Sequence, residues 1–173
     1  MRRMTIERID PGSTADERTT LRGFLDYHRQ TLLWKCDGLS AEQLRLRSVP
    51  PSTMSLLGLV RHLADVERSW FRRALANEDA PPIFYSRPDN LDGDFDDVDD
   101  ASVDEAFARW NEEVEASRRI EASFASLEET VHQPQHDADL SVRWVMVHLI
   151  EEYSRHNGHA DFLREQIDGA TGE

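Results

Sequence analysis

Four ionisable side chains interrupt the apolar face of the last long helical segment, and any fold this chain adopts must give them partners. His148, Glu152, His156 and His159 recur at steps of four, four and three residues. At about 100° per residue they fall within roughly an 80° arc of one helix. Val142, Val145, Leu149, Ala160, Leu163 and Ile167 share that arc or its edge, which makes it the face a helix buries. A carboxylate buried there without a partner costs several kcal/mol or stays protonated. The stripe is therefore either a satisfied hydrogen-bonded cluster or a metal site.

Four segments carry helical periodicity, and no segment alternates convincingly as a strand. The first runs from about Asp16 to Asp37, with Leu21, Phe24, Leu25, His28, Leu32 and Cys36 at helical spacing, and Gly38 stops it. A short turn begins at Ser40, and Pro50-Pro51-Ser52 precedes a second long helix from about Ser55 to Asn77. Ser102 followed by Glu105 makes a capping box for a third, which fades near Leu127. The fourth extends from about Ser141 to Ile167, before Gly169. The expected fold is all-α, a four-helix bundle with a long connection between the second and third helices.

That connection, residues 78–101, holds three prolines and then Asp89, Asp92, Asp94, Asp96, Asp97, Asp99 and Asp100. It reads as an irregular crossover or lid with a solvated charge run. A calcium loop around Gly93 fails because Pro88 occupies its first ligand position.

The 173 residues fit one domain, residues 1–173, with an ordered core of about 16–168. A net charge of -14 opposes a phosphate backbone, so nucleic acid is not an expected partner. The sequence has neither an apolar run long enough for a bilayer nor an N-terminal apolar stretch with a small-residue cleavage site, so a cytoplasmic location is expected. Cys36 is the single cysteine, which rules out an internal disulfide; it reads as a buried small side chain.

His62 lies at the edge of the apolar face of the second helix, beside Leu59, Leu63 and Val66. If the second and fourth helices are neighbours, His62 meets Glu152 and His156, and two imidazoles with one carboxylate surround a divalent ion with positions left open. A simple helical side-chain pair is the competing reading of Glu152 and His156. His148 and His159 are candidates for a fourth ligand, a supporting group or a catalytic acid/base. His28 reads as packing, and His132 and His136 as loop residues without a role. Tryptophans 34, 70, 110 and 144 read as packing between helices. Arg61, Arg68, Arg72 and Arg73 read mostly as solvent-facing, with one or two available to an anionic substrate.

Two motifs resemble the DinB-like superfamily of helical metalloproteins. The run from Ser55 to Glu67, followed by Trp70-Phe71, is similar to a second-helix signature of that superfamily. Glu152-Tyr153-Ser154-Arg155-His156-Asn157-Gly158-His159 is similar to its fourth-helix motif, usually His-x-x-x-His-Arg-Gly-Gln. The resemblance implies metal ligands at His62, Glu152 and His156. Glu152 departs from the commoner three-histidine set, as in the similar mycothiol-dependent maleylpyruvate isomerases, which use His, Glu and His around zinc. His159 stands at the usual Gln position.

The resemblance further implies a zinc- or nickel-type divalent ion, a low-molecular-weight thiol such as mycothiol, and a small-molecule substrate covered by the 78–101 connection. An S-transferase or isomerase is the implied activity class, and a homodimer the implied assembly. The alternative is a non-catalytic, stress-associated metal-binding protein, or a scaffold whose polar cluster holds no metal.

Overall fold

The computed structural model describes residues 6–133 and 137–172. Each long helix starts where a short polar side chain caps exposed amides. Asp16 accepts from the Thr19 amide to open α1 (Glu17–Cys36), and Ser40 with Gln43 forms a complete capping box for α2 (Ala41–Arg45). Ser55 caps α3 (Leu56–Glu67) through the Gly58 amide. Ser102 caps α5 (Val103–Ser123), and Ser141 caps α6 (Val142–Asp168). Gly169, at φ 75°, closes α6 in the left-handed conformation that an L side chain resists.

The second long helix is not uniform. After Glu67 it continues as a π-helix, Arg68–Leu75, and Asn77 ends it at φ 51°. The wider turn brings Arg68 and Arg72 over one partner: both guanidiniums donate to the Glu113 carboxylate on α5, each at 2.7 Å.

The molecule is mainly helical, with a small two-stranded sheet. The antiparallel strands β1 (Thr130–Gln133) and β2 (Ala138–Ser141) pair Thr130 with Ser141 and Gln133 with Ala138. This corrects the all-helical expectation and moves His132 from a loop into a strand. The hairpin is short and mostly exposed, so it lacks the repeated inward side chains that mark a strand in sequence. His136 lies outside the described residues.

Helix α1 packs chiefly on α6, and α3 packs on both α5 and α6, which makes α3 and α6 the neighbours the site requires. Leu56, Leu59, Leu63, Val145 and Leu149 are fully buried along that seam. A polar network crosses the same core. Arg29 on α1 donates through Nε and Nη2 to Glu67 on α3, each at 2.8 Å. Tyr153 on α6 donates to Glu67 at 2.8 Å and accepts from Trp110 on α5 at 2.8 Å. All four side chains are buried. Every donor and acceptor is matched, so the network fixes the rotation of four helices about one point instead of leaving a buried charge.

Three expectations about exposure need correction. Arg61 is buried, because the 78–101 connection folds back over it. Asp94 is buried too, although it belongs to the acidic run that reads as solvated. Phe24 and Trp144 are instead exposed, at 44% and 46%. Among the described residues no helix is long and apolar enough to cross a membrane.

Candidate metal centre

One face of α3 holds the site's wall. Gly58, Arg61, His62 and Asp65 are spaced i, i+3, i+4, i+7, so they share a face, and all four meet the connection between α3 and α5. At Gly58 a Cβ would lie 3.2 Å from the Phe95 ring, so a larger residue would push that ring away. Arg61 donates to the carbonyls of Asp94 and Gly93 at 3.0 and 2.9 Å. Asp65 accepts from the amides of Ile83 and Phe84 at 2.7 and 2.9 Å. Burial raises the Asp65 carboxyl above its ordinary range, and those two amides partly offset it.

The connection tightens around Gly93 and turns through the short α4 (Gly93–Asp96). A Cβ at Gly93 would sit 2.8 Å from the Phe84 carbonyl. Glycine here permits a close backbone approach that delivers Asp94 and Phe95 to His62. Asp94 Oδ2 lies 2.8 Å from His62 Nδ1, and Asp94 Oδ1 accepts from the Phe95 amide at 3.1 Å. The Phe95 ring stacks on the His62 ring, with centroids 4.8 Å apart and planes inclined by 29°.

From α6, Glu152 and His156 face His62. One donor atom from each of the three lies within 4.8 Å of the other two. The His62 and His156 rings meet edge-on with centroids 4.6 Å apart, and His156 Nε2 is 3.5 Å from Glu152 Oε2. The hydrogen bond with His156 is the main influence on the Glu152 carboxyl and holds it below the ordinary range, against the effect of burial.

His148 and His159 stand to either side. His148 Nε2 is 3.4 Å from Glu152 Oε1, the oxygen turned away from His156, and its Nδ1 is 3.3 Å from Glu151. Its ring stacks on Trp144, with centroids 5.0 Å apart, and meets Trp70 edge-on at 4.5 Å. His159 Nδ1 lies 3.3 Å from His156 Nδ1. Burial, then the neighbouring His156 and Arg155, lower the His159 imidazole below its ordinary value, so it is neutral at pH 7.

His28 is half-buried and pairs with Ser154 at 3.0 Å. Cys36 is buried, and burial pushes its thiol up to about 12, so it is no nucleophile at neutral pH.

Sequence reading missed Asp94, Phe95, Asp65 and the roles of Trp70 and Trp144. Phe95 carries a faint signal, as an aromatic residue set between acids after a glycine. Asp94 carries none, since Asp92, Asp96 and Asp97 offer the same side chain within three residues of it.

Two imidazole nitrogens and a carboxylate oxygen, converging from two helices with both imidazoles supported from behind, suit a borderline divalent ion and leave coordination positions open. Comparison with curated proteins and with solved structures gives no match. A family model described as mycothiol-S-transferase matches residues 20–169, a span that takes in His62, the 78–101 connection and α6 through Gly169. With nearly the whole helical core inside that span, the chain belongs to the mycothiol-S-transferase family, a DinB-like family.

Proposed function

We propose that this chain is a metal-dependent S-transferase that joins a low-molecular-weight thiol of the mycothiol type to an electrophilic small molecule. The carrying observation is the convergence of His62, Glu152 and His156 within 4.8 Å in a chain of this family. These three residues hold a divalent ion, zinc or nickel by the donor set. The ion, when bound, supplies a Lewis-acid centre that favours the thiolate over the thiol at neutral pH. The reading takes the four long helices as a four-helix bundle forming one domain, residues 1–173, with its core at about 16–168.

The protein's own groups prepare the site. Phe95 covers one face of His62 with an apolar ring, and Trp70 packs against His148 beside the cluster. Glu152 stays ionised and available because its pKa is lowered. His159, lowered below its ordinary value by burial, lies 3.3 Å from His156 at the edge of the cluster.

The substrate side is aromatic and acidic. Arg61, Arg68 and Arg72 are held by protein carbonyls and carboxylates, and Arg155 donates to Glu151 at 2.8 Å. That arrangement supports an uncharged electrophile over a dicarboxylate.

Purified protein loaded with zinc or nickel should consume mycothiol in the presence of an uncharged electrophile such as monobromobimane, at a rate above the unloaded protein. Glu152→Ala should lose that rate. No thiol consumption by the loaded protein across a panel of neutral and anionic electrophiles would overturn the reading.

A further inference from the structure

Both imidazoles of the cluster have a second partner outside it. His62 Nδ1 faces Asp94 Oδ2 at 2.8 Å, and His156 Nδ1 faces His159 Nδ1 at 3.3 Å. Asp94 and His159 do not belong to the group whose donor atoms lie within 4.8 Å of one another. A neutral imidazole carries one proton, and the partner of one nitrogen decides where it sits. The Asp94 carboxylate accepts at Oδ2, so His62 places its proton on Nδ1 and leaves its lone pair on Nε2. His156 differs, because its own Nε2 faces the Glu152 carboxylate at 3.5 Å, so His159 does not decide its tautomer.

We infer that Asp94 is a positioning residue that holds His62 as the Nδ1–H tautomer, presenting its Nε2 lone pair to the cluster before any ligand arrives. This deepens the functional reading and rests on the same three residues. Asp94 is placed to do this because the connection is anchored to two residues of α3 and braced once within itself. Arg61 takes its carbonyl, Asp65 takes the amides at Ile83 and Phe84, and the Phe95 amide fixes its other oxygen. The connection thus acts as the rear wall of the site and not as a swinging lid, and its backbone order is transmitted to the imidazole.

Asp94→Asn tests the assignment at nearly constant shape. An amide has one acceptor oxygen, so it cannot serve both the Phe95 amide and His62 Nδ1–H. Long-range ¹⁵N NMR on metal-free protein reports the tautomers directly. Wild type is expected to show Nδ1–H at His62. Asp94→Asn is expected to populate the Nε2–H form at His62 and to leave His156 unchanged. Zinc affinity, measured against a competing chelator, is expected to fall about 10- to 100-fold in Asp94→Asn.

Nε2–H at His62 in the wild type overturns the inference. So does an unchanged tautomer together with unchanged affinity in Asp94→Asn. Because the tautomers are read without metal or thiol, the inference can fail while metal-dependent transfer stands, and can hold while transfer is absent.

Discussion

The Tyr153 hydroxyl donates to Glu67 at 2.8 Å in the centre of the core, one residue along α6 from Glu152. Because Arg29 donates to both oxygens of the same carboxylate, the rotation of α6 that aims Glu152 and His156 at α3 is tied to a buried ion pair. Site geometry and core stability are therefore coupled through adjacent residues.

Glu67→Gln should be among the most damaging single changes. It leaves the buried Arg29 guanidinium with only the partly exposed Asp26 as counter-charge, which costs up to about 3–5 kcal/mol. Tyr153→Phe removes two hydrogen bonds, to Glu67 and from Trp110, and should cost about 1–3 kcal/mol. An Arg29→Met, Glu67→Leu double variant should recover most of the loss, since no buried charge remains. Urea unfolding of the four proteins checks the order; equal losses in the single and double variants would show that the pair is not what the core depends on.

Cys36 sets an alkaline slope. Its thiol has an ordinary value of about 8.5 in the unfolded chain and is pushed up to about 12 in the fold. Between those values the unfolded chain releases the proton and the folded protein keeps it. Stability therefore falls as pH rises, by at most about 1.4 kcal/mol per unit. Cys36→Ala should flatten the curve above about pH 8.5 by that amount. Wild-type Cys36 should resist iodoacetamide at pH 7.5 until denaturant is added, and fast labelling of native protein would contradict its burial.

Trp144 is 46% exposed, while its ring also packs on His148 beside Glu152. Uncharged aromatic electrophiles should quench its fluorescence, and maleate should not. An aromatic contact contributes about 0.5–1.5 kcal/mol, so Trp144→Ala should weaken binding of such electrophiles by up to about tenfold. Its effect on stability should stay within about 1 kcal/mol, as for other exposed positions. Stronger quenching by the dianion would reverse the assignment of substrate charge.

The helix ends were legible because caps are local. Asp16, Ser40, Ser55, Ser102 and Ser141 each act within three residues, and the chain folds as those short patterns dictate. The convergence of His62 with Glu152 and His156 was legible as a conditional, since each helix declares its buried face and only their adjacency had to be supplied. Asp94 was not legible. Its burial depends on a 24-residue connection, residues 78–101, returning to α3, and nothing in the acidic run distinguishes the one carboxylate that turns inward. The Arg68–Glu113–Arg72 cluster was hidden for a related reason: a π-helical turn changes which side chains align, and residue spacing read at α-helical period cannot show it.

The central claim is that His62, Glu152 and His156 hold a divalent ion. Metal content by mass spectrometry on untagged protein, measured for wild type beside His62→Ala and Glu152→Ala, tests it most directly. The account predicts near-stoichiometric zinc or nickel in the wild type and its loss in both variants, with the fold retained by circular dichroism. Wild-type protein that carries no metal after incubation with zinc or nickel and desalting would contradict it, as would variants that keep the wild-type metal content.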